Sequence, residues 1–220
     1  MCLFPFFMTF ASLILGLASS SDANSFQKVT FKTEDGALIE GSFFQGKRDQ
    51  AVVLAHGKVF NKESWYPLCE RLQKEGISSL AIDFRGYGNS KPGESGEFYL
   101  DVLGAIDHLK RKGFKHIALI GGSMGGAAIL RALAHISDPR IEKVILLAPA
   151  GGAGVKSQKI KKLFVTAEKD SFYPKVYELY ETSQEPKELK TYAGSAHAQH
   201  LFTSEAGSDL TALIVRFLLN

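Results

Sequence analysis

The chain has 220 residues, 26 of them basic and 23 acidic, giving a formal charge of +3, with 45% apolar and 22% charged side chains. This fits one soluble globular domain with a substantial core and excludes both a disordered chain and a strongly basic nucleic-acid binder. Two cysteines, Cys2 and Cys69, cannot build a disulfide scaffold or a cysteine-cage zinc site.

Met1 through Ser21 contain no Asp, Glu, Lys, Arg or His, and Leu3 to Leu17 form an apolar run closed by Ala18, Ser19, Ser20 and Ser21. A run of about 15 residues ending in small side chains reads as a secretory signal peptide, which would make the protein secreted or periplasmic. Cleavage would follow Ser20 or Ala23, although no Lys or Arg precedes the run. The rival is an uncleaved membrane tether through residues 3–17, for which the run is short against the roughly 20 residues of a span. The expected organisation is residues 1–23 as signal or anchor and 24–220 as a single domain.

From Phe26 to Phe44 two strands, FQKVTFKT and ALIEGSFF, flank Asp35-Gly36, a hairpin signal because both residues tolerate positive φ. AVVLAH (51–56) is continuously apolar, as in a strand buried on both faces of a parallel sheet. The pattern then alternates: a helix over 62–74, the strand 78–84, a Gly-rich loop from Arg85 to Gly96 and a helix over 98–112. In that helix Leu100, Leu103, Ile106 and Leu109 are read as an apolar stripe. A strand over 116–121 leads through a Gly-rich turn into a helix reaching about Ile136. Strands over 143–149 and 162–167, a helix near 175–182, a last strand over 187–193 and a last helix from Leu210 to Leu219 complete the chain. A hairpin followed by repeated strand–helix units predicts a three-layer α/β/α sandwich on a mostly parallel sheet of about eight strands.

The sharpest local signal is Gly121-Gly122-Ser123-Met124-Gly125, a G-x-S-x-G pattern between a predicted strand and a predicted helix. A turn this tight strains the serine backbone and leaves room only for residues without side chains at Gly121 and Gly125. It raises the Ser123 hydroxyl clear of the sheet and beside a helix N-terminus, where amides and the helix dipole favour developing negative charge. A phosphate-binding reading fails, because neither G-x-G-x-x-G nor Gly-Lys-Ser/Thr is present there.

A serine nucleophile needs a base, and the base an orienting acid. His108 and His135 fall on predicted helices and His116 opens a strand at its far end, whereas ligands gather at the carboxyl ends of parallel strands. His197, in the loop GSAHAQH after the last strand, is the candidate base, and His200 either faces inward or caps the following helix. In the loop AEKDSFYP Glu168 and Asp170 compete as the acid; Asp170 lies further out and can reach back to an imidazole, while Glu168 stays with the strand end. His56-Gly57 follows the third strand, so Lys58 and Met124 are the expected oxyanion-hole amides, with Val59 replacing Lys58 if the register differs. His56 itself is read as structural.

These residues resemble the α/β-hydrolase superfamily from about Phe26 to Asn220, with DFRGYGNS (83–90) similar to its D-x-R-G-x-G-x-S loop. The resemblance implies attack on a carbonyl by Ser123, release of an alcohol or amine, and hydrolysis of the acyl-enzyme, with Asp83 and Arg85 holding loops. It implies a small-molecule acyl substrate and a carboxylic ester hydrolase, with acyl transfer, peroxidation, thioester or peptide cleavage, or a non-catalytic binding protein, as alternatives. Only about a dozen residues, Ala150 to Lys161, stand where many members insert a cap, so the site is expected to be open. No cofactor and no nucleic-acid partner is expected; nor is a metal, since His197 and His200 have no carboxylate or cysteine cluster beside them. Cys69 is read as a buried thiol and KSQKIKK (156–162) as a solvated face.

Overall fold

A computed structural model of the protein describes Met1 and residues 26–220; the segment read as signal or anchor otherwise lies outside the described residues. The hairpin strands are β1 (Phe26–Lys32) and β2 (Leu38–Phe44), and Gly36 takes the positive φ of 85° that the turn between them requires. Next come β3 (Gln50–Ala55), α1 (Tyr66–Lys74), β4 (Ser78–Ile82), α2 (Phe98–Arg111), β5 (His116–Gly122) and α3 (Met124–His135). The chain closes with β6 (Ile141–Leu147), β7 (Lys161–Ala167), α4 (Tyr173–Thr182), β8 (Lys187–Tyr192) and α5 (Gly207–Leu219).

The eight strands form one sheet in the order β1-β2-β4-β3-β5-β6-β7-β8, with β2 antiparallel to both its neighbours and every pair from β4 to β8 parallel. Helices cover the central strands, so β4 is buried along its whole length, and β3 and β5 are buried after their first residue. That double burial is why these strands read as unbroken apolar runs. Each fully buried Leu or Ile among them contributes about 1.5–3 kcal/mol relative to an exposed one. The parallel register also brings the carboxyl ends of β3, β5, β7 and β8 to one edge of the sheet, and the candidate residues lie in the loops beyond it.

At three places the structure departs from the sequence pattern. The buried face of α2 is Val102, Ala105, Ile106 and Leu109, whereas Leu100 and Leu103 are only half-buried. A strict three-residue spacing falls about 60° behind at each step of a helix, so all four predicted positions cannot share one face. The predicted helix over 62–74 is split into a 3₁₀ turn (Lys62–Trp65) and α1, because Pro67 fits only the first turn of an α-helix. In KSQKIKK, Lys156, Lys159 and Lys161 are exposed but Lys162 is fully buried, its Nζ donating to the carbonyls of Ser157 (2.6 Å) and Gln184 (2.8 Å). Strand alternation from Lys161 turns Lys162 inward, and burial pushes its ammonium pKa down.

The β6–β7 connection, residues 148–160, carries neither helix nor strand. It is tied to the end of α4 by Val155 N–H to Ser183 Oγ (2.9 Å) and Gln184 N–H to the Val155 carbonyl (2.9 Å).

Cys69 is fully buried on α1, and burial pushes its thiol up to about 12. The folded protein should therefore leave Cys69 unalkylated by iodoacetamide near neutral pH, while the urea-unfolded chain should react fully. Peptide mapping by mass spectrometry checks this, and rapid alkylation of native Cys69 would contradict its burial.

Candidate active site

Between β5 and α3 the chain reverses at Ser123, whose φ of 49° and ψ of −112° are strained for a residue with a side chain. Its backbone is pinned on both sides: the N–H donates to the Leu147 carbonyl (2.9 Å), and the carbonyl accepts from Ala127 and Ala150 (3.0 Å each). The flanking glycines are sterically required. A Cβ at Gly121 would lie 2.7 Å from the Gly125 carbonyl group, and one at Gly125 would collide with the Ala55 carbonyl oxygen. The half-exposed Ser123 hydroxyl makes no hydrogen bond among the described residues.

Asp170, beyond β7, is buried and divides its carboxylate between two donors. Oδ1 accepts the Phe172 N–H (2.9 Å), and Oδ2 lies 2.8 Å from Nδ1 of His197, beyond β8. This pairing favours the tautomer with the proton on Nδ1, which leaves Nε2 as the basic nitrogen. The His197 ring rests against Phe172 at 4.8 Å, with 30% of its side chain exposed. Glu168 is exposed, and its N–H bonds the Tyr192 carbonyl at the strand end, as expected. His200 neither faces inward nor caps a helix; it is exposed within a 3₁₀ turn (Ala198–Thr203), its ring 4.9 Å from Phe60.

The loop after β3 lies against the serine, since a Cβ at Gly57 would stand 3.5 Å from the Ser123 Cβ. The backbone amides of Lys58, Val59 and Met124 donate to no group among the described residues. His56 is buried and structural: Nε2 accepts the Phe84 N–H (3.2 Å), so Nδ1 carries the proton and donates to the Gly57 carbonyl (2.9 Å). Burial pushes its pKa down and keeps the ring neutral. Tyr87 closes one side, its hydroxyl donating to the Lys58 carbonyl (3.1 Å) and lying 3.9 Å from the Met124 sulfur. An open groove of about 480 Å³ runs past Lys58, Val59, Phe60 and Tyr87.

The loop carrying Tyr87 hangs on two buried groups. Asp83 accepts from the Lys62 backbone N–H (2.8 Å) and Nζ (2.5 Å), and Arg85 binds Asp101 through Nε (2.9 Å) and Nη2 (2.7 Å) and Asp35 through Nη1 (2.6 Å). One contributor escaped sequence reasoning: Gln199, buried, whose Oε1 accepts the Gly57 N–H at 2.6 Å. Nothing in its spacing marks it, apart from its place two residues after His197. Among the described residues no group of three or more His, Cys, Asp or Glu could hold a metal ion, and no helix is long and apolar enough to cross a membrane.

Residues 46–193 match the family described as serine aminopeptidase, S33 (Hydrolase_4). The chain belongs to this family of α/β-hydrolases. Among curated relatives, the Mycoplasma pneumoniae protein named putative esterase/lipase 3 is 29% identical over 163 residues, 69% of this chain and 57% of that protein. A putative non-heme chloroperoxidase of Synechocystis is 31% identical over 123 residues, 55% and 44% of the two chains. YfhR of Salmonella typhi, an uncharacterised protein, is 29% identical over 119 residues, 50% of this chain and 41% of its own. The chain thus spans about half the length of the curated relatives it matches. Among solved structures, the esterase EaEST of Exiguobacterium antarcticum superposes with a TM-score of 0.74 at 16% identity, covering 88% of this chain and all of that one. The Pyrococcus furiosus esterase Pf2001 gives 0.72 at 21% identity, covering 88% and 90%. At such identities the likeness establishes the shared α/β-hydrolase fold.

Proposed function

We propose that this α/β-hydrolase cleaves carboxylic esters through Ser123, His197 and Asp170. The observation that carries the reading is the contact of buried Asp170 with the part-exposed His197, held at 2.8 Å at the sheet edge from which the strained Ser123 projects. Ser123 Oγ adds to the ester carbonyl carbon while His197 Nε2 takes its proton. The Lys58 and Met124 amides receive the oxyanion, and collapse expels the alkoxide, which His197 protonates. Water, deprotonated by the same nitrogen, then attacks the acyl-enzyme, and as the second intermediate collapses His197 returns that proton to Ser123 Oγ and the acid leaves. Each amide aimed at the oxyanion contributes about 2.7–4 kcal/mol to lowering the barrier. The short β6–β7 connection favours small or surface-accessible esters.

The experiment compares the parent with Ser123→Ala on p-nitrophenyl acetate and with a fluorophosphonate probe. The parent should turn over and label at Ser123, and Ser123→Ala should lose about 10⁴-fold or more in kcat without change in melting temperature. A folded parent that neither turns over nor labels would overturn the reading in favour of a binding protein. A panel of thioesters and amides beside esters assigns the bond class.

A further inference from the structure

We propose that Gln199 is a positioning residue that fixes the oxyanion loop relative to both the nucleophile turn and the base; the inference rests on the hydrolase reading above. Gln199 is 4% exposed, lies in the loop of the base, and touches the connection after β3 and the end of β5 that leads into the nucleophile turn. Oε1 accepts the Gly57 N–H at 2.6 Å, and Nε2 donates to Ser64 Oγ at 2.5 Å. The orientation of the amide is not interchangeable, because Ser64 Oγ donates its own proton to the Asn61 carbonyl (2.6 Å) and must accept from Gln199. A Cβ at Gly122 would meet Gln199 Oε1 at 2.9 Å, so the amide lies over the residue that precedes Ser123. Gln199 follows His197 by two residues, and Ala198 between them takes a left-handed φ of 48°. That conformation is uncommon for a residue with a side chain, and it persists only where its surroundings hold it.

The consequence lies in the two peptide planes that flank Gly57. The His56–Gly57 plane is set by Gln199, which takes its N–H. The Gly57–Lys58 plane is set by the Gly57 carbonyl, which accepts from His56 Nδ1 (2.9 Å) and from the Phe60 N–H (3.0 Å). In a trans peptide the carbonyl and the following N–H point in opposite directions, so two donors on the Gly57 carbonyl aim the Lys58 N–H the other way. Gly57 has no Cβ to restrict its dihedrals, so these side-chain contacts replace the missing steric restraint. Release of Gln199 frees the His56–Gly57 plane; the Gly57–Lys58 plane, joined to it through the unrestricted dihedrals of Gly57, is then held at its carbonyl alone, and the Lys58 amide aims less sharply at the oxyanion.

Two variants test this against the parent. Gln199→Met fills the same volume without hydrogen bonds. It should lower kcat for p-nitrophenyl acetate by about 10- to 100-fold with KM within about twofold, since a misaimed oxyanion donor is felt in the transition state. Amide exchange at Gly57 should accelerate in the same variant while β5 amides stay protected. Gln199→Glu restores both contacts only when its carboxyl is protonated; ionised, it sets a negative charge against the developing oxyanion. The ratio of its kcat to the parent's should therefore climb at least about fivefold as pH falls from about 8 to about 5, a dependence that loss of packing would not produce. Both predictions failing in a parent that turns over, with Gln199→Met kcat within about twofold and a flat Gln199→Glu ratio, would overturn this inference alone. Should Gln199→Met fail to fold, the Gln199→Glu ratio decides. A parent without turnover or labelling overturns the hydrolase reading and this inference together.

Discussion

Asp170→Asn should lower kcat on p-nitrophenyl acetate by about 10⁴-fold while KM and the melting temperature stay close to the parent's. The amide has the carboxylate's shape, and its oxygen can still accept the Phe172 N–H that Oδ1 now takes at 2.9 Å. What changes is the group facing His197. The carboxylate Oδ2 accepts from Nδ1 at 2.8 Å, whereas the asparagine amide would present its own N–H there and draw the proton to Nε2. The nitrogen that must receive the Ser123 proton would then already carry one. The imidazolium formed on attack would also lose its buried counter-charge, since the Asp170 side chain is only 1% exposed. A loss of four decades corresponds to about 5.4 kcal/mol of transition-state stabilisation. Glu168→Gln is the matched comparison: Glu168 is exposed and its backbone is committed to the strand end, so kcat should move less than about twofold. Steady-state kinetics on both variants separates the two carboxylates, and a large loss at Glu168 with little at Asp170 would reassign the acid.

What the sequence made legible divides along a physical line. Ser123 stands out in the sequence because a sharp strand-to-helix turn forces glycine at Gly121 and Gly125, and steric necessity leaves a local signature that requires no knowledge of distant residues. The strands were readable for a similar reason, since double burial of β3, β4 and β5 demands unbroken apolar runs. The preference for Asp170 over Glu168 rests on how far into a loop a carboxylate must stand to reach an imidazole, a weaker argument than sterics; in the structure Asp170 lies 2.8 Å from His197. Gln199 escaped because its partners, Gly57 and Ser64, lie 142 and 135 positions away and its own neighbours form no periodic pattern. Lys162 differs from the solvated face expected of a lysine-rich run, because a buried ammonium with two carbonyl acceptors depends on the path of residues 157 and 184. Contacts that are long in sequence and polar in character leave no pattern along the chain.

Arg85→Met should destabilise the fold by about 3–5 kcal/mol, seen as a melting temperature lower by roughly 6–20 °C. Arg85 is 3% exposed in its side chain, and Asp101 beneath it is fully buried. Without the guanidinium, Asp101 keeps only the Arg85 backbone N–H (2.9 Å) as a donor, and its charge has no buried partner. Asp35 loses its strongest restraint as well, because the Arg85 hydrogen bond is the main cause holding its carboxyl below the ordinary carboxylate range. A depressed carboxyl contributes stability above its unfolded value, near pH 3.9, and loses it as pH falls through the folded value. The gap between parent and variant should therefore be widest near neutrality and narrow below about pH 4; burial raises the Asp101 carboxyl, and more so without Arg85, so the variant's Asp101 takes up its proton above that pH. Urea denaturation at the two pH values reads both effects as shifts in midpoint. Arg85→Met combined with Asp101→Leu should recover part of the loss, because it removes the fully buried Asp101 charge while Asp35 still lacks its guanidinium partner. Equal midpoints for parent and Arg85→Met at neutral pH would show that the buried pair does not hold the loop, and Tyr87 would then keep its place against Lys58 and Met124 through the Asp83–Lys62 anchor and its ring contacts with His56 (4.7 Å) and Phe98 (6.5 Å).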